Sequence, residues 1–125
     1  MKYTLSIIKI GFVGVGRMGQ VAHLRNYVTI PDCEVVAIAE IDIEKGKKVA
    51  AQYGVPHVYA DYNDMLANEK IDGIVATQPF DRHGIVLPGL FKTGIPIFTE
   101  KPLSASVEIG QILLNEVNKN SNVHV

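Results

Sequence analysis

The chain has one cysteine, Cys33, and no tryptophan. A lone cysteine can close no intramolecular disulfide and build no cysteine metal cluster, so the fold must rest on packing. Cys33 reads as a small apolar residue opening a strand, and this sparing cysteine usage fits a reducing cytoplasm. An excess of charge is missing too. Lys and Arg number 12 against 13 Asp and Glu, a net charge of −1. That balance offers no footprint for nucleic acid or for an acidic membrane surface. Long hydrophobic runs are absent as well. The most apolar stretch, Ile7 to Val15, is broken by Lys9, Gly11 and Gly14 and is too short to span a bilayer. The start, Met1-Lys2-Tyr3-Thr4-Leu5, lacks the apolar core and small-residue cleavage site of a secretory signal. His23, His57 and His124 form no metal-ligand spacing and read as structural or exposed side chains. The expectation is a cytoplasmic protein with no metal, no nucleic-acid partner and no membrane partner.

What is present is an ordinary globular composition, 47% hydrophobic and 20% charged, in 125 residues. That length suits a single domain, here residues 1–125, with enough buried surface to fold unaided. Strand and helix patterns alternate along it. Apolar, strand-like runs lie at Ile7–Val13, Glu34–Ala39, Val55–Ala60, Gly73–Thr77 and Pro96–Thr99. Between them, helical patterns occupy Gln20–Tyr27, the stretch after Asp42 up to Gly54, Asp61–Asn68, and Gly84–Thr93. A last helix starts at Ser104 or Ser106 and runs to about Asn118. Asn122–Val125 looks like the opening of a sixth strand. Pro88 inside the fourth helical pattern removes a backbone donor and predicts a kink or a late start. Strands separated by helices imply a doubly wound parallel sheet with helices on both faces, a three-layer α/β fold.

The first strand runs into Gly14-Val15-Gly16-Arg17-Met18-Gly19, a G-x-G-x-x-G loop. In the dinucleotide-binding (Rossmann) fold the first glycine permits the turn, the second lets the backbone approach a pyrophosphate, and the third allows helix and strand to pack closely. The helix that follows presents N–H groups and partial positive charge to a phosphate. Such a loop alone is a weak signal, but its context strengthens it. Glu40 ends the second strand about twenty residues on, where this fold places its ribose-binding acid. A carboxylate there accepts both adenosine-ribose hydroxyls and repels a 2′-phosphate, which favours NAD. Asp42 suits a helix cap instead. Lys45, Lys47 and Lys48 keep NADP open, although lysines on a helix are usually a solvated face. Arg17 and Met18 join the loop glycines as candidate cofactor contacts, Arg17 over the adenine or near a phosphate.

Two later segments extend the pattern. Ala76-Thr77-Gln78-Pro79-Phe80-Asp81-Arg82-His83 follows the fourth strand, and Phe98-Thr99-Glu100-Lys101-Pro102-Leu103 follows the fifth. With Lys9-Ile10-Gly11-Phe12-Val13 and the glycine loop, they resemble the Gfo/Idh/MocA family of oxidoreductases, which includes glucose–fructose oxidoreductase and inositol dehydrogenase. The first segment looks like that family's Thr-Pro-Asn-x-x-His stretch, the second like its Glu-Lys-Pro motif. Gln78 stands where the family usually has Thr, and Phe80 where it often has Asn. The resemblance implies cofactor contacts from Thr77, Gln78, Pro79, His83 and Glu100. It also implies that Lys101 points toward nicotinamide and substrate and helps bind or polarise the reacting group. The residues themselves agree on one point. A residue before proline is pushed toward extended backbone, so Lys101 is held extended at the carboxyl end of a strand, where ligands of such sheets bind. The turn has room for a cis proline. His83 has a blander alternative, a solvated ring at a helix start.

The resemblance further implies a second, mostly antiparallel domain carrying substrate contacts and proton-transfer residues, absent from these 125 residues. On that reading the chain binds NAD, with NADP open, for an oxidoreductase acting on a sugar, polyol or related hydroxy compound. It turns over little alone, and it oligomerises only with the second domain. The alternative is a free-standing dinucleotide-binding or redox-sensing module without catalysis, since fold alone does not fix function.

Overall fold

The structure is a computed structural model and describes residues 6–120 and 123–125. Among these, five strands form one parallel sheet in the order β3-β2-β1-β4-β5. They are β1 Ile8–Val13, β2 Cys33–Ala39, β3 His57–Tyr59, β4 Gly73–Ala76 and β5 Ile97–Thr99. The helix after β1, α1, is π-helical over Gly19–Leu24 and α-helical over Arg25–Tyr27. The others are α2 Ile43–Tyr53, α3 Tyr62–Asn68, α4 His83–Phe91 and α5 Val107–Lys119. The expected doubly wound sheet is therefore present.

The continuous apolar runs of β1, β2 and β4 reflect burial on both faces. On one face Ile10, Phe12, Val35, Ile38 and Val75 pack with Leu24 of α1 and Val49 and Ala50 of α2. On the other, Val13, Ala39, Ile74 and Ala76 meet Met65 of α3, four residues of α4 (Val86, Leu87, Leu90 and Phe91), and Leu113 of α5. Burying each such large side chain contributes about 1.5–3 kcal/mol. In β2 the successive residues Val36 and Ala37 both join the second cluster. A bulge explains it: Ile10 pairs with Val35 but Gly11 with Ala37, so Val36 is skipped and the alternation resets.

Local signals place the helix ends. Asp42 accepts a hydrogen bond from the Lys45 N–H at 3.2 Å, and Gly54 closes α2 at φ 74°, as its sequence predicts. Ser106, rather than Ser104, caps α5 through the Ile109 N–H at 3.2 Å. A 3₁₀ turn over Phe80–Arg82 leads into α4, which begins at His83 and runs through Pro88. Its start is early, not late. The third strand is shorter than expected, three residues instead of six. Asn122 lies outside the described residues. The described residues 123–125 form no strand where a sixth is expected, although the Ile97 N–H donates to the His124 carbonyl at 2.8 Å. Cys33 opens β2, half-buried and free. No described helix is long and apolar enough to cross a membrane.

Candidate dinucleotide site

β1 sits between β2 and β4, and the chain leaves their carboxyl ends toward opposite faces of the sheet. That switch of direction opens a crevice at the carboxyl edge. A cavity of about 490 Å³ lies there, lined by Gly14, Gly16, Glu40, Gln78 and Pro79 among others. The size suits a small organic ligand.

The glycine loop is tied down from behind. The Gly14 N–H donates to the Ala39 carbonyl at 2.8 Å, and the Thr77 hydroxyl donates to the Gly14 carbonyl at 2.6 Å. Gly14 has φ +82°, and a Cβ there would lie 2.6 Å from the Gln78 backbone nitrogen. Only glycine takes that backbone without strain at such range. At Gly19 a Cβ would stand 2.5 Å from the Thr77 hydroxyl oxygen, whereas at Gly16 it would meet nothing within 4 Å. The first and third glycines thus serve the protein's own packing, and the second faces open space on the cavity wall.

Glu40 is 6% exposed. One carboxylate oxygen accepts from the Val15 N–H at 3.1 Å, the other from the Asp42 N–H at 2.9 Å. The Lys45 ammonium lies 3.4 Å away. A carboxylate offers about four acceptor sites, so capacity remains for ligand hydroxyls. Gln78 is equally buried, at 6% exposed, and both polar atoms of its amide lack a hydrogen-bond partner among the described residues. Buried amides are nearly always paired, so this enclosed one, on a residue that lines the cavity, is an exception.

A second group of candidates lies one strand further along the same edge. The Thr99 hydroxyl donates to the Ala76 carbonyl at 2.9 Å, joining the ends of β5 and β4. Beyond it, Glu100 accepts from His23 Nε2 at 2.5 Å and from the Lys101 N–H at 3.3 Å. The His23 hydrogen bond is the chief reason the Glu100 carboxyl sits below its usual range; burial opposes it, while the Lys101 N–H and the nearby cationic charges assist. The Lys101–Pro102 peptide is cis, and Lys101 is exposed. His83 is fully buried, and its Nδ1–H donates to the Leu103 carbonyl at 2.8 Å.

A family model described as an oxidoreductase family with an NAD-binding Rossmann fold matches residues 8–125. The chain belongs to the Gfo/Idh/MocA oxidoreductase family. Among similar members, inositol 2-dehydrogenase of Azotobacter vinelandii is 30% identical over 81% of this chain and 30% of its own length. A myo-inositol dehydrogenase structure from Corynebacterium glutamicum superposes with a TM-score of 0.82 at 30% identity, covering 94% of this chain and 35% of that one. A scyllo-inositol dehydrogenase from Lactobacillus casei, solved with bound NAD(H) and scyllo-inositol, superposes at 0.83 with 26% identity, covering 94% and 35%. The chain spans about a third of the length of these Gfo/Idh/MocA relatives.

Within this Gfo/Idh/MocA domain, Lys101 is exposed and Gly19 packs on Thr77, neither lining the cavity, and the structure sorts the other sequence candidates into three sets. Gly14, Gly16, Glu40, Gln78 and Pro79 share the cavity. Arg17 and Met18 are exposed in the loop just ahead of α1. Thr77, His83 and Glu100 point elsewhere: Thr77 to the glycine loop, His83 to Leu103, Glu100 to His23. The solvated-ring reading of His83 is corrected, because its ring is wholly enclosed. Of the two alternatives read for His23, structural or exposed, the structure shows the first, since it bonds Glu100 of the Glu-Lys-Pro segment. His57 is exposed and pairs with Glu69 at 2.7 Å. Sequence reasoning missed Tyr62, Asn63, Arg82 and Ile85, which also line the cavity. Tyr62 and Asn63 follow the end of β3, so the rule that ligands gather at carboxyl ends of strands could have found them.

Proposed function

We propose that the chain binds NAD(H) at this crevice as the cofactor-binding part of an oxidoreductase. That enzyme moves hydride between nicotinamide and a sugar, an inositol-like polyol or a related hydroxy compound. The observation that carries the reading is one cavity uniting the open face of Gly16, the carboxylate of Glu40 and the unpartnered amide of Gln78. The dinucleotide supplies the hydride chemistry when bound. The protein's own residues bind and orient. Gly16 and the start of α1 take the pyrophosphate, with Arg17 and Met18 beside it. Glu40 takes the adenosine ribose and favours NADH over NADPH. Gln78 and Pro79 bound the nicotinamide half. Lys101 stands at the reacting end and polarises the substrate oxygen. Thr77, Glu100 and His83 hold these segments in place.

Substrate contacts and the proton-transfer group come, on this reading, from a second domain outside these 125 residues. The present chain then binds cofactor with no useful turnover, as a monomer or a weak dimer. Calorimetric titration with NADH and NADPH tests the binding; equal or tighter NADPH binding overturns the role given to Glu40. Lys101→Ala tests the chemistry. It should leave NADH affinity nearly unchanged in this chain and cripple hydride transfer in the protein that includes the substrate domain. Normal turnover there would make Lys101 a turn residue.

A further inference from the structure

We propose that His23 is a positioning residue for Lys101, acting through Glu100. The inference rests on the reading of Lys101 given above and adds a residue that the glycine loop and the Glu-Lys-Pro segment do not contain. Four observations converge. The two oxygens of the Glu100 carboxylate are divided between His23 Nε2, at 2.5 Å, and the Lys101 backbone N–H, at 3.3 Å. Glu100 thus links an imidazole on α1 to the backbone of the lysine. The imidazole is itself held, being 14% exposed and set edge-on against Phe98 of β5, ring centroids 5.0 Å apart at 68°. His23 sits in the π-helical turns of α1, where the Arg25 N–H reaches back to the Gln20 carbonyl. Such turns are uncommon and occur frequently at functional sites, because the extra residue rotates the side chains of that turn. The far side of the lysine turn is fixed independently, by the bond from His83 to Leu103.

Lys101 is therefore clamped from two directions. His83 holds the residue two places after it. His23 holds the residue before it and couples it to the helix that begins at the glycine loop. The backbone of Lys101 is thereby linked, through a carboxylate and a histidine, to the helix that begins at the glycine loop.

The test separates the hydrogen bond from the ring. His23→Phe keeps an aromatic ring against Phe98 and removes the bond to Glu100. His23→Gln removes the ring and keeps a donor near the Nε2 position. Both are made in the 125-residue chain. The Glu100 carboxyl carbon and the Lys101 amide proton are followed by NMR during an acid titration. The charged groups that act on Glu100 are His23, from α1, and Lys101, from its own turn. In the parent chain both signals should report one midpoint below the ordinary carboxylate range. His23→Phe should shift that midpoint upward and displace the Lys101 amide signal, and His23→Gln should restore both most of the way. The reverse ranking, with Phe near normal and Gln perturbed, would make His23 a packing residue and overturn the proposal. So would equal displacement in both variants, or none in either. NADH titration of the parent chain stands apart from this result. Failure to bind there would remove the cofactor reading while leaving the His23–Glu100–Lys101 coupling measurable.

Discussion

The carboxylate of Glu40, at the end of β2, accepts the backbone N–H of Val15 from the glycine loop, 3.1 Å away. The acid proposed to take the ribose therefore also shapes the loop proposed to meet the pyrophosphate. Two effects follow from removing it. Hydrogen bonds to a charged group are worth about 1.5–3 kcal/mol, so Glu40→Ala should weaken NADH roughly ten- to a hundredfold. Val15 is fully buried, and its orphaned N–H should lower stability by about 1–3 kcal/mol. Calorimetry and urea unfolding measure the two separately. Unchanged stability would mean that the Val15 bond is dispensable.

Gly14 and Gly16 should respond oppositely to alanine. Gly14→Ala forces a side chain into a left-handed backbone and against Gln78, so it should cost at least about 1–3 kcal/mol of stability. Gly16→Ala adds a methyl group to open space. It should fold normally and lose NADH affinity by about tenfold or more, because the methyl occupies room the pyrophosphate needs. Equal thermal midpoints for the two variants would contradict the division of labour between the glycines.

Gln78 offers a prediction in which stability and binding move apart. Its buried amide has no partner among the described residues, and such a group costs about 1–3 kcal/mol. Gln78→Leu, close in volume, should leave the free chain as stable as before or more so. NADH should bind the variant about five- to tenfold more weakly, within the worth of one or two neutral hydrogen bonds. A destabilised variant with unchanged affinity would show that the amide serves the fold instead.

Acid should release the Glu100 clamp in a defined window. The carboxyl sits lower in the folded chain than its ordinary 4.5. Its stabilising contribution is therefore complete above that value and lost as pH falls through the folded one. The stability gap between the parent chain and Glu100→Gln should be widest near neutral pH and shrink through that acid range. Denaturant unfolding at a series of pH values checks the sign. A gap that stays constant into strong acid would mean that the carboxylate charge plays no part.

Much of this architecture is legible in the sequence because its signals are local. The buried strands show as apolar runs, Asp42 and Gly54 bracket α2, and the glycine loop announces the turn from β1 into α1. Glu40 is legible because its distance from the loop is fixed by one helix and one strand. What escapes is contact between distant segments. Nothing near His23 in the chain reveals a carboxylate 77 residues away. His83 opens α4, as a helix-start reading of its position implies, but its bond to the Leu103 carbonyl joins segments 20 residues apart. The π-helical turns of α1 escape for a different reason: side-chain periodicity alone does not register one extra residue in a turn.

The loop that would meet a pyrophosphate is braced from three sides: by β2 through Ala39, by β4 through Thr77, and by Glu40 through Val15. These bonds are made within the protein itself, without help from a ligand. The conformational entropy of ordering Gly14 and Val15 is thus charged to folding and not to association. A rigid receptor of this kind keeps more of its contact energy as affinity, because little of it is consumed in freezing the loop. The encounter should then proceed in one kinetic phase, its observed rate rising linearly with ligand concentration.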